Sequence, residues 1–214
     1  MHIPDGFIGP KTYLPAYGVA AFFWGLAFRR LRRNLDDGTL PRLAVLSAVA
    51  FVLMMIMLPL PGGTTVHATG VAILAVVFGP WTAYLSISLV LLMQALFLGE
   101  GGVTTLPIGA LCIGLAGGGS AWLVWKLLVG WREKVALFAA GWTATVVAAS
   151  LSALVLGIQP ILEHAPDGSP RFFPFGLSIT LPALILPHAL LGLAEGMLTV
   201  LVCTLFARLL KEEE

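Results

Sequence analysis

Charge is scarce in this chain of 214 residues: only 11% are Asp, Glu, Lys or Arg, against 58% hydrophobic residues, and the mean hydropathy is +0.96. Soluble domains carry about 25% charged residues, so a water-exposed globular fold is excluded and lipid is the expected solvent. A formal net charge of +1 also gives no basic field for nucleic acid. Cysteine is limited to Cys112 and Cys203, both in apolar runs and without CxxC spacing. That pattern reads as buried packing and excludes a disulfide framework or a thiolate metal pair. No Walker A sequence occurs, so the chain cannot drive uphill transport alone. Its few intramembrane carboxylates offer no proton relay. There is no His-x-x-x-His with a nearby acid, which speaks against an intramembrane metalloenzyme.

Long apolar runs are abundant. Taking spans of about 17–25 residues, the sequence predicts an all-α polytopic membrane protein, one integral-membrane domain over residues 1–214, with seven spans near 12–31, 40–58, 66–79, 81–98, 105–128, 134–157 and 178–208. Only Gly79-Pro80 separates the third from the fourth, and the third is short for a full bilayer. The seventh is too long for one straight crossing, and Pro182 and Pro187 are expected to break it near its outer end. Arg29, Arg30, Arg32, Arg33, Arg42, Lys126, Arg132, Lys134, Arg208 and Lys211 are ten of the twelve basic residues and fall on one side. Lys11 and Arg171 fall on the other. The positive-inside bias therefore sets the N-terminus outside and the C-terminus in the cytoplasm, in the cell (inner) membrane of a prokaryote. Pro4, Asp5, Gly6 and Pro10 interrupt the start before any apolar stretch, so no cleavable signal is expected and Met1 is expected to be kept.

The start of the chain carries the chemistry. A free Met1 amine, the His2 amide and the His2 imidazole are three nitrogens that can close fused chelate rings on one small metal ion. The fourth corner of the plane is left for an imidazole from elsewhere. Four planar nitrogens suit Cu(II) or Ni(II), and Co(II) less strictly. With ordinary pKa values of about 7.7–8.0 for the amine and about 6.5 for imidazole, proton competition should weaken binding steeply between about pH 8 and 6. His67 is the candidate fourth ligand. It lies in Pro59–Gly70, whose Pro59, Pro61, Gly62 and Gly63 forbid a regular helix. Such irregular backbone sits at membrane depth only where protein buries it or water reaches it. A second glycine-rich segment, Gly99–Leu106, can lie against the first. Thr64, Thr65, Thr104 and Thr105 are then candidates to orient a ligating imidazole.

Other polar residues read differently. His188 and Glu195 lie seven apart on one helix face and form a possible structural or functional intramembrane pair. Glu100 is a loop acid, and His164 stands in a polar loop with Glu163 and Asp167. Met54, Met55 and Met57 have ordinary packing spacing. Ala44 and Ala48 form a small-x-x-x-small pair that permits close helix approach.

Met1-His2-Ile3-Pro4-Asp5-Gly6-Phe7, the Gly62–Gly70 segment with His67, Gly99–Leu106 and Gly192-Leu193-Ala194-Glu195-Gly196 resemble the CbiM/NikM family. These are the nickel/cobalt substrate-binding (S) components of energy-coupling factor transporters, and the similarity spans nearly the whole chain. The resemblance implies that Ni2+ or Co2+ is the transported substrate, held by the Met1 amine, the His2 amide, the His2 imidazole and the His67 imidazole, with no organic cofactor. It implies docking of a coupling transmembrane subunit on Ala44 and Ala48, two cytoplasmic ATPase subunits, and a small auxiliary membrane subunit, expected on a separate chain. Where many relatives read Gly-Ala-Asn, this chain has Pro107-Ile108-Gly109, so any support from that asparagine must come from another residue. A vitamin-binding S component and a passive metal channel are the competing readings.

Overall fold

The computed structural model describes residues 1–34, 36, 38–60 and 64–212. Helix α1 (Pro10–Asn34) opens with proline where no intrahelical donor is needed. Its free backbone donors are met by side chains: Gly9 N–H donates to Gln159 Oε1 at 3.0 Å and Lys11 N–H to Glu163 Oε1 at 2.8 Å. Arg32 and Arg33 in its last turn complement the helix dipole. Helix α2 (Thr39–Met55) follows.

Next comes a short antiparallel ribbon, β1 (Leu58–Leu60) with β2 (Thr64–Val66), in the register Leu58↔Val66. It adds a small β element to an otherwise helical fold. Helix α3 is only Val71–Phe78, and His67 precedes it in non-helical backbone. Eight residues rise about 12 Å, against about 30 Å of hydrocarbon, so the run expected at 66–79 yields a half-length helix. The cause is local: Gly70 takes a left-handed conformation (φ 66°) that starts α3 late.

Helix α4 (Pro80–Met93) runs on as a π-helical stretch, Gln94–Leu98. Helix α5 (Leu106–Leu128) contains a second π stretch, Ala110–Gly117. Pro107 of the departing tripeptide sits in the first turn of α5, where its missing N–H costs nothing. Helices α6 (Glu133–Gly157) and α7 (Leu177–Glu212) form the most extensive pair. Ala136, Ala140, Ala144 and Ala148, all fully buried at four-residue spacing, let helices approach closely.

The expected break of α7 is not present. It is one continuous helix with Pro182 and Pro187 inside it. Past Pro187 it packs on α6, where the Trp142 indole N–H donates to the Ala189 carbonyl at 3.1 Å. Among the described residues, four helices are long and apolar enough to cross a membrane: Pro80–Leu98, Leu106–Leu128, Glu133–Leu162 and Leu177–Leu209, with Thr39–Met55 a shorter apolar helix. Cys112 and Cys203 are free and buried, as their spacing predicts.

Candidate metal centre

Residues 1–9 form no helix; they are threaded inward and held as a plug. Ile3 and Ile8 are buried, and Phe173 N–H donates to the Phe7 carbonyl at 3.1 Å. Asp5 accepts from the backbone N–H of Thr104 at 2.9 Å and of Val103 at 3.3 Å, and from the Thr104 hydroxyl. Thr105 Oγ1 lies 2.5 Å from the Ile3 carbonyl oxygen. Thr104 therefore holds the Asp5 carboxylate of the plug and Thr105 its Ile3 carbonyl. Gly102 is required for this contact, since a Cβ there would stand 2.2 Å from Asp5 Oδ1 and 2.6 Å from Asp5 N.

The plug carries Met1 and His2 into the core, where they are 2% and 5% exposed, beside His67 at 1%. The Met1 amine donates to the Thr65 carbonyl, with Thr65 Oγ1 at 3.4 Å. Thr65 thus serves the amine. The Thr64 side chain lies outside the described part of the structure. The His2 and His67 rings are stacked, with centroids 4.5 Å apart and planes at 26°.

The hydrogen bonds fix both tautomers. His2 Nε2 faces Gln94 Oε1 at 2.9 Å; an amide oxygen only accepts, so the proton is on Nε2. His67 Nδ1 faces the Ala68 carbonyl oxygen at 3.1 Å, so its proton is on Nδ1. The remaining nitrogens, His2 Nδ1 and His67 Nε2, carry lone pairs and are buried without a hydrogen-bond partner among the described residues. Buried polar atoms are seldom left so.

The chemistry of this donor set fits a metal. His2 Nδ1, not Nε2, closes a six-membered ring with the His2 amide nitrogen, and the amide closes a five-membered ring with the amine. Burial, opposed by the charge of Glu100, pushes the Met1 amine down from 8.0 to about 4. Burial and the nearby amine push His2 down from 6.5 to about 4, against the bond to Gln94. Burial, then the amine, holds His67 well below its ordinary value. All three are therefore neutral donors near neutral pH. Among the described residues no three His, Cys, Asp or Glu side chains converge to hold a metal ion. A site here has to draw on backbone nitrogen, which this plug supplies.

The supporting residues differ from those expected. Gln94, 1% exposed, orients His2. A neutral glutamine in an apolar run gives no sequence signal beyond being polar in a span. Glu195 and His188 do not act on each other: Glu195 accepts from Thr69 N–H (2.8 Å), Thr69 Oγ1–H (3.1 Å) and Gly70 N–H (2.7 Å), clasping the backbone after His67. His188 donates from Nδ1 to the Leu184 carbonyl at 2.7 Å, and its Nε2 is a third unpartnered buried nitrogen. Ala44 and Ala48 are exposed on α2, and His164 is exposed in its loop.

The family model for the cobalt uptake substrate-specific transmembrane region, CbiM, matches residues 2–212. The fused nickel transport protein NikMN of Rhodobacter capsulatus is 39% identical over 206 residues, 93% of this chain and 59% of that one. The chain therefore spans about three-fifths of that relative's length. The crystal structure of a transition metal transporter matches with TM-score 0.95 at 32% identity, over 100% of this chain and 95% of the other. The S component of a bacterial ECF transporter shares the fold at TM-score 0.50 and 23% identity, over 83% of this chain and 98% of the other. Fold and relatives together place the chain with helical proteins that are named for metal transport. Within that class, the chain belongs to the CbiM family.

Proposed function

We propose that this chain is the Ni2+- or Co2+-binding membrane component of an ATP-driven importer of the energy-coupling factor type. The metal is cargo. It is held by the Met1 amine, the deprotonated His2 amide nitrogen, His2 Nδ1 and His67 Nε2. The observation that carries this reading is the pair of bare imidazole nitrogens, His2 Nδ1 and His67 Nε2, buried on stacked rings beside the buried amine of the same segment. Four nitrogens in one plane favour nickel over cobalt on ligand-field grounds.

The chain has no ATPase and no organic cofactor in this reading. A coupling transmembrane subunit docks on the exposed small face of α2 at Ala44 and Ala48, two cytoplasmic ATPases supply the energy, and a small auxiliary membrane subunit assists. The protein is one integral-membrane unit of a prokaryotic inner membrane. Its seven helices lie in the bilayer, with the N-terminus outside and the C-terminus cytoplasmic.

Metal analysis of the purified full chain, combined with intact mass, tests the reading. One nickel or cobalt per chain with an unmodified Met1 is the expected result. Metal-free protein that takes up an organic vitamin contradicts it, as does metal uptake that proceeds without ATP hydrolysis.

A further inference from the structure

Gln94 is bonded at both ends of its amide. Its Oε1 accepts from His2 Nε2–H at 2.9 Å, and its Nε2 donates to the Phe51 carbonyl of α2 at 3.2 Å. It is also the first residue of the π stretch Gln94–Leu98, and its own carbonyl accepts from Glu100 N–H at 3.1 Å. Its backbone is therefore pinned where helical geometry changes, a feature frequent at functional sites. Two consequences follow for His2. The acceptor at Nε2 keeps the proton off Nδ1, the nitrogen able to chelate. The ring's position is referred to helix α2 through the Phe51 carbonyl.

Helix α2 touches the other histidine's segment as well. Gly70, three residues after His67, lies so close to α2 that a Cβ there would stand 3.1 Å from Ala50 Cα. Ala44 and Ala48 are exposed one and two turns before Phe51 on the same helix. The helix offering the small outer face thus meets both histidines' surroundings at its other end, Gln94 by a hydrogen bond and Gly70, three residues after His67, by close approach.

We propose that Gln94 is a positioning residue that ties His2 to helix α2, so that displacement of α2 on docking loosens the metal's hold. This rests on the nitrogen clip and on docking at Ala44 and Ala48. As metal leaves, its four bonds to nitrogen break, the His2 amide nitrogen takes back one proton from solvent, and no oxidation state changes.

The test uses the full chain and the complete transporter, with nickel as probe. Gln94→Leu removes acceptor and donor, and nickel affinity is expected to fall about 10–100-fold, the usual range for a lost supporting partner of a ligand. The visible d–d band at saturation should be unchanged, because every ligand remains. Gln94→Glu at pH 8 restores an acceptor for His2 Nε2–H and should restore affinity. In the wild type, the coupling complex with ATP is expected to accelerate nickel dissociation at least about tenfold, in keeping with the range for a lost support; in Gln94→Leu the intrinsic rate is already fast and no further acceleration follows. Wild-type affinity in Gln94→Leu, or no recovery in Gln94→Glu, overturns the positioning role. Acceleration of Gln94→Leu to the wild-type degree overturns the link to α2. His2→Ala keeps the readings apart: normal nickel binding and an unchanged band in that variant refute the clip itself, and loss of co-purification with the coupling complex by Ala44→Trp/Ala48→Trp, or its persistence, decides the docking reading separately.

Discussion

Each imidazole of the centre is a donor on one nitrogen and bare on the other, and that division sets what single substitutions do. His67→Ala removes one corner of the plane. Losing a supporting partner costs a metal site about 10–100-fold, so loss of a ligand itself should exceed about 100-fold in nickel affinity by titration. His164→Ala, in an exposed loop, should bind as the wild type. The pH dependence is milder than the sequence leads one to expect. With the Met1 amine and His2 both lowered to about 4, protons are already absent from these donors at pH 6–8. Only the His2 amide proton is then released on metal binding, so Kd should change about tenfold per pH unit over that window and more steeply near pH 4. A change of two or more decades per unit between pH 6 and 8 would show that the amine or an imidazole also titrates there. Met1, His2 and His67 stand out in the sequence as candidates because few residue types can hold such a metal, and the structure brings the two imidazoles together. Gln94 does not stand out, since its role depends on a partner 92 positions away.

The plug of residues 1–9 is placed by other elements. Gly102 lets Asp5 approach the backbone after α4, while Gly119, on α5, has open space around its Cβ position. Gly102→Ala should therefore weaken nickel binding about 10–100-fold without touching a ligand, and Gly119→Ala should leave titrations unchanged. Equal behaviour of the two variants would remove Asp5–Gly102 from the account. Hydropathy located the long helices closely, because burial in lipid is a property of composition. It placed His67 at the head of a span that begins four residues later, at Val71, since the left-handed Gly70 and the Glu195 clasp are tertiary features. Helix α7 differs as well. Two prolines predict a break, yet the helix runs on through them within the most extensive helix pair of the fold.

For the molecule as a whole, the proposed metal and partner surfaces are separate. Ala44 and Ala48 are exposed on α2, whereas Met1, His2 and His67 are buried. Replacing both alanines with Trp should abolish co-purification with the coupling subunit and ATP-driven uptake, while the isolated chain still binds nickel. Loss of nickel binding by the double variant would place these alanines in the internal fold. Charge asymmetry in the sequence argues for an orientation, and small-x-x-x-small spacing argues for a docking face. Neither pattern carries the distance between that face and the metal centre, which depends on how α2 packs against Gly70 and Gln94.

The central claim is that the start of the chain is itself the ligand, and one added residue tests it most directly. A variant with one extra residue before Met1, verified by intact mass, keeps every side chain and loses the Met1 amine as a donor, so the five-membered ring to the His2 amide cannot close. Nickel titration with visible spectroscopy should then find binding destroyed and the d–d band of diamagnetic planar Ni(II) absent. Normal affinity with the same spectrum in that variant would contradict the account.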